Sequence, residues 1–169
     1  MPEQATLNRA REDLREGKSP KTAAGEFVHE EIEHVREGKH GVRSPQQAIA
    51  IGLSKARRAG IDVPVPAKGK ASEEVRTKAK RDLERGEAGE GGSHSRRRSQ
   101  AREKALKQEP RSTVSRSALS RQTSKAAKKR SASDRHGAAM KAVRTKGEKG
   151  LREEARKGAR TRAQHRRAA

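Results

Sequence analysis

Cysteine, tryptophan and tyrosine are absent from this sequence, and Phe27 is its only aromatic residue. Without cysteine there is no disulfide framework and no thiolate zinc site. Without aromatics in the C-terminal half there is no platform on which single-stranded bases could stack. Hydrophobic residues make up only 28% of the chain, too few to bury a core spanning 169 residues. The expectation is one very small folded unit joined to chain that is disordered or conditionally helical. No apolar run approaches the ~20 residues that cross a bilayer, and the first ten residues lack the apolar region of a secretory signal. A soluble, cytoplasmic protein with no membrane partner is expected. No nucleophile–base pair or acidic dyad stands out. The glycine-rich stretch 86–92 lacks the Gly-Lys-Ser/Thr ending and the preceding strand of a phosphate loop. A non-enzymatic protein with no catalytic residues and no cofactor follows.

What the chain does have is positive charge, unevenly placed. Lysine and arginine number 43 against 22 acidic residues, giving a net charge of +21. Residues 1–65 carry 11 basic and 10 acidic residues, residues 66–91 carry 7 and 6, and residues 92–169 carry 25 and 6. A near-neutral head is thus followed by a tail of net +19, the main functional signal in the sequence.

The head reads as helices. Leu7, Ala10 and Leu14 are spaced for one face of a helix over 3–16, which Gly17 ends. Ser19-Pro20 opens a second over 21–37, with Ala24, Phe27, Val28, Ile32 and Val35 on its apolar side and Gly38 as its stop. Ser44-Pro45-Gln46-Gln47 opens a third over 45–59: Ser44 caps, Pro45 suits the first turn, Gln47 completes a capping box, and Gly60 ends the helix. Helices two and three are expected to pair as a hairpin, with Ile49 and Leu53 meeting Phe27, Val28, Ile32 and Val35. Gly52 within the third helix is read as a point of close backbone approach. Leu14–Lys18 is echoed by Val35–Lys39, a helix ending in Gly that hands over to Ser-Pro.

The organisation expected is an all-α chain. A helical head covers 1–60 (core 21–60), a proline-containing linker 61–71, an isolated helix 72–86, a flexible joint 87–95 and a basic tail 96–169. Helix-compatible pieces in the tail are 99–109 and 113–130, followed by an imperfect repeat that aligns Ala139–Lys146 with Ala155–Arg162.

His29-Glu30-Glu31-Ile32-Glu33-His34 invites comparison with a zinc-protease helix, but that motif needs histidines at i and i+4. These are five apart and diverge on a helix. Side-chain pairing on the helix surface accounts for them, and even with His40 nearby no metal ligand is assigned.

The stretch His40-Gly41 and Ser44–Gly60, with its Gln-Ala-Ile-Ala-Ile helix and Ala-Gly ending, resembles a small bacterial domain of unknown function, over residues 22–64. The tail, with Ala-Leu-Ser-Arg-Gln at 118–122 and its Arg-Thr-Lys/Arg repeats, resembles basic tails of proteins labelled DNA-binding or plasmid-stabilisation. It is also similar to the Lys/Ala-rich tails of linker histones and bacterial histone-like proteins. The resemblance implies no catalytic residues.

Together these features predict a histone-like, nucleoid-associated DNA-binding protein that neutralises backbone phosphates with little sequence preference. The candidate phosphate-binding residues are Arg96, Arg97, Arg98, Arg102, Arg116, Arg121, Lys125, Lys128, Lys129, Arg130, Lys141, Arg144, Lys146, Arg156, Lys157, Arg160, Arg162, Arg166 and Arg167. RNA or the ribosome is the alternative partner. A second alternative is an adaptor whose head binds itself or another protein while the tail localises it.

Overall fold

The computed structural model describes residues 2–89, 100 and 104–167, and these are all-α, with no strand among them. They form two compact units, residues 1–122 and 123–169.

Four helices open the first unit: α1 (Gln4–Arg15), α2 (Pro20–Glu37), α3 (Pro45–Arg58) and α4 (Glu73–Glu87). Their starts follow the serine caps. Ser19 Oγ accepts from the Thr22 N–H, Ser44 Oγ from Gln47 and Ser72 Oγ from Val75, satisfying donors that no helical carbonyl can reach. The Gln47 side chain folds back as expected, but onto the Arg43 N–H rather than the cap's own. Their ends follow the glycines. The N–H of Lys18 donates to Asp13 and that of Gly17 to Leu14; Lys39 and Gly38 donate to His34 and Val35; Ile61 and Gly60 donate to Ala56 and Arg57. All three are the same 6→1, 5→2 closure, so the Leu14–Lys18 and Val35–Lys39 echo encodes one repeated helix stop.

Helix α2 is central, packed by α1 on one side and α3 on another, with α4 against α3. One apolar cluster holds Ala10, Ala23, Ala24, Phe27, Ala56, Ile61 and Val63, flanked by Leu7, Leu53 and Ala59. A second holds Val35, Val42, Ala48 and Val114, flanked by Ile32 and Ile51. The α2–α3 hairpin is therefore present, but its seam differs from the one the large residues suggest. Ala48, Gly52 and Ala56 are buried on α3, whereas Ile49 is only half-buried and belongs to neither cluster. The reason is proximity. A methyl group on Gly52 would stand 2.6 Å from the Val28 Cα and 2.9 Å from the Phe27 carbonyl oxygen. Small residues at i, i+4 and i+8 let the helices approach, and the larger Ile49 and Ile51 flank the contact.

Two segments join this core from outside the helices. Ile61 and Val63, in the extended proline-containing stretch, are buried. The buried Arg57 donates to the carbonyls of Val63 and Pro64 and so pins that stretch to α3. Helix α4, expected as an isolated helix over 72–86, lies along α3, where Ser54 Oγ donates to the buried Asp82 carboxylate.

The second addition comes from the basic half. Residues 104–107 form a helical turn, and a 3-10 turn spans Arg111–Val114. Val114 is fully buried in the second cluster. The Gly41 N–H donates to the Leu106 carbonyl at 3.0 Å, and a side chain at Gly41 would collide with the Leu106 and Glu109 carbonyls. Arg43 pairs with Glu109 at 3.1 Å. Residues 104–114 thus pack on the head, a placement that a lone valine in a basic sequence does not announce.

Helix α5 (Arg116–Lys128) follows, and the boundary between the two units falls within it. The second unit is mostly helix α6, Ala132–Arg167, interrupted at Gly147 (φ 64°, ψ 177°). Residues 132–167, expected as partly disordered or conditionally helical, are helical on both sides of that break. Alanine, lysine, arginine and glutamate, all good helix formers, dominate them, while a glycine at positive φ supplies the interruption.

Candidate nucleic-acid interface and a buried polar cluster

The second unit, residues 123–169, carries 16 basic and 4 acidic residues, net +12. Among its described residues none is buried. All eleven basic side chains described between Arg135 and Arg166 are exposed. Of the candidate residues, Lys141, Arg144, Lys146, Arg156, Lys157, Arg160, Arg162 and Arg166 lie on α6. Arg116, Arg121, Lys125 and Lys128 lie on α5, with Lys129 and Arg130 just after it. Arg96, Arg97, Arg98 and Arg102 lie outside the described residues, as does most of the expected 87–95 joint. Arg167 ends α6, and its side chain is not described.

Beyond Gly147 the helical phase gathers part of this charge. Lys149, Arg152, Arg156 and Arg160 recur at i, i+3, i+7 and i+11, an arc of ~80° at 100° per residue. The stripe runs ~17 Å at 1.5 Å per residue. Reading by dense clusters passes over Lys149 and Arg152; helical periodicity is the signal that finds them. Arg152 also pairs with Glu148 at 2.6 Å, an exposed pair one turn apart that contributes little in water.

The first unit contains a different constellation, built inside the head. Glu30 and Glu31 are both buried on α2. Lys55 of α3 reaches between them, its Nζ 3.1 Å from Glu30 Oε1 and 2.8 Å from Glu31 Oε2. Glu30 also accepts from the Glu3 backbone N–H at 3.0 Å. Burial pushes the Glu30 carboxyl up, but that N–H, the Thr6 hydroxyl and the Lys55 ammonium together outweigh it and hold it below the usual 4.5. Glu31 is less well served. His40 Nε2 stands 3.3 Å from its Oε1, yet neither oxygen receives an aligned hydrogen bond, from His40 or from Lys55. Glu3, at the start of α1, accepts from His34 Nε2 at 2.9 Å and from Lys39 at 3.1 Å. Those two contacts depress its carboxyl as well.

The depressed carboxyls fix a direction for pH dependence. A carboxyl whose folded pKa lies below its unfolded value contributes stability that is complete above the unfolded value and lost as pH falls through the folded one. The urea midpoint of the head is expected to hold from pH 7 to 5 and drop between pH 4.5 and the acid limit. Glu30→Gln should lower the midpoint at pH 7 and flatten the acid drop. An acid drop equally steep in Glu30→Gln would remove Glu30 from this account.

No curated protein and no solved structure matches the chain. Residues 15–69, from the end of α1 through α3 and the extended stretch beyond it, match a family of unknown function, DUF6496, and this span includes the resembling stretch 22–64 as well as Glu30, Glu31, His34, His40 and Lys55.

Proposed function

We propose that this chain is a non-enzymatic nucleic-acid-binding protein whose C-terminal unit neutralises backbone phosphates of duplex DNA with little regard to sequence. The observation that carries the reading is the exposure of all eleven described basic side chains of α6, on a unit none of whose described residues is buried. Arginine forks and lysine ammoniums held on a helix are suited to phosphate oxygens. A surface with this charge density attracts polyanions at long range. Phe27, the one residue among Phe, Tyr and Trp, is fully buried in the head, so no such side chain is available for stacking on unpaired bases. The packed head, with its near-neutral charge, is left for self-association or a protein partner.

The test is a fluorescence-anisotropy titration of the full chain against a labelled duplex at several salt concentrations. Affinity is expected to fall linearly in log–log form, by ~0.9 per phosphate neutralised, and a scrambled duplex should compete as well as the original. Salt-insensitive binding, or strong preference for one duplex, would replace this reading with a specific regulator. Tighter binding to structured RNA at every salt would move the partner to RNA.

A further inference from the structure

Glu31 and His34 stand three residues apart on α2 and therefore project from neighbouring positions of one face. After Glu37 the helix stops, and Gly38, at φ 79°, turns the chain back. His40 is thereby returned to the same face, its ring edge-on to that of His34 with centroids 6.2 Å apart. One ligating atom from each of Glu31, His34 and His40 lies within 4.8 Å of the others. We propose that these three side chains form a binding site for a divalent transition-metal ion of the zinc class.

The donor set is two imidazoles and one carboxylate, which suits zinc and its neighbours rather than magnesium or calcium, whose ligands are oxygens. The hydrogen bonds each ring makes leave its other nitrogen for ligation. His40 Nδ1 lies 3.3 Å from the Gly41 carbonyl. A carbonyl only accepts, so Nδ1 is the nitrogen engaged there and Nε2 is the one left to ligate an ion. Nε2 stands 3.3 Å from Glu31 Oε1, a buried carboxylate oxygen that receives no aligned hydrogen bond. A cation between them would satisfy both atoms. Two ligands each ~2.1 Å from a tetrahedral ion stand ~3.4 Å apart, close to the separation already present. In the same way, Glu3 can only accept from His34 Nε2, so that nitrogen holds the proton and Nδ1 keeps a lone pair. A carboxylate that accepts from the outer N–H, as Glu3 does from His34, is the usual second partner of a metal-bound imidazole.

Charge balance points the same way. The Glu31 side chain is 1% exposed and the Glu30 side chain 2%, and they share the Lys55 ammonium. Two buried carboxylates facing one ammonium leave negative charge that an ion beside Glu31 would offset. His34 and His40 are 14% and 20% exposed, so the ion has a path from solvent. The site would clamp the end of α2 to the α2–α3 loop, beside the point where Gly41 holds Leu106.

The experiment is isothermal titration calorimetry of tag-free full-length protein with zinc chloride, in the absence of nucleic acid so that the outcome is independent of the proposed function. One ion per chain is expected, with a dissociation constant of ~10 µM or tighter. His40→Ala and His34→Gln should each weaken binding at least tenfold, and Glu3→Gln by roughly tenfold through the outer hydrogen bond. His29→Ala, an exposed position on α2, should leave binding unchanged. Zinc should raise the thermal midpoint of the wild type but not of His40→Ala. His40 lies on a loop and is only half-buried; should its variant lose helical circular dichroism, His34→Gln decides. Absence of saturable binding, or wild-type affinity in a folded His40→Ala or His34→Gln, would overturn the proposal and leave His40 as a polar neighbour of Glu31 and nothing more.

Discussion

Phe27→Ala is expected to unfold the head or bring it to the edge of unfolding at 25 °C. The ring is fully buried, and its cluster is otherwise built from Ala10, Ala23, Ala24, Ala56, Ile61 and Val63. Truncating a buried phenylalanine costs about 3–5 kcal/mol. A small domain commonly holds only about 5–15 kcal/mol, and a core in which alanine supplies half the buried residues sits near the lower bound. The surrounding methyl groups are short and fixed to helical backbone, so they cannot close over the void. Ile49→Asp is the informative contrast. Hydrophobic size alone nominates Ile49 as a core residue, but it is half-buried and lies outside both clusters. Its substitution should cost distinctly less than the Phe27 truncation, about 1–2 kcal/mol, because only part of the side chain is removed from water. Urea unfolding followed by circular dichroism measures both. A Phe27→Ala midpoint close to wild type, or an Ile49→Asp variant that unfolds with it, would mean that the α2–α3 seam is not the one described.

That contrast shows where the sequence was legible. Ser19, Ser44 and Ser72 placed the helix starts, and Gly17, Gly38 and Gly60 the stops, because capping is decided by residues within one turn of each other. Which face of α3 turns inward was not decided locally. Gly52 was legible as a site of close approach, but the consequence lay in the partner. Once the backbones touch at Val28 and Gly52, the seam must be Ala48–Gly52–Ala56, and the isoleucines flank it. Val114 was opaque for a similar reason. One valine has no periodicity, and its burial depends on Val35, Val42 and Ala48 being assembled first.

The sites divide along the same line. The basic charge of α6 is visible in composition, and its stripe follows from helical phase alone. The cluster of Glu31, His34 and His40 was half visible. The histidine-to-histidine spacing points to His29, which is not part of the cluster, whereas Glu31 and His34 at i, i+3 are the better signal. Recognising His40 as their companion required knowing that Gly38 reverses the chain, a fact its left-handed conformation supplies.

Neutralising the α6 stripe is the second large effect expected. The quadruple variant Lys149→Gln, Arg152→Gln, Arg156→Gln, Arg160→Gln removes four positive charges from one face while keeping good helix formers in place. If each contacts one phosphate, the slope of log affinity against log salt should shrink by about 3–4, at ~0.9 per contact. Because each lost contact also forfeits the counterions it would have released, duplex affinity near 0.05 M salt should fall by roughly two orders of magnitude or more. Sequence preference should not change, since these contacts read no base edges. Arg11→Gln, Arg15→Gln and Lys21→Gln together, at exposed positions of the head, should leave the slope within about one unit of wild type. Exchanging lysine for arginine and the reverse at the four stripe positions should preserve the slope, because it retains the charges. A charge-retaining variant that binds as poorly as the neutralised one would show that helix geometry rather than phosphate neutralisation governs binding. If head and stripe substitutions were equally damaging, contact would be spread over the whole basic surface, and α6 would have no special part in it.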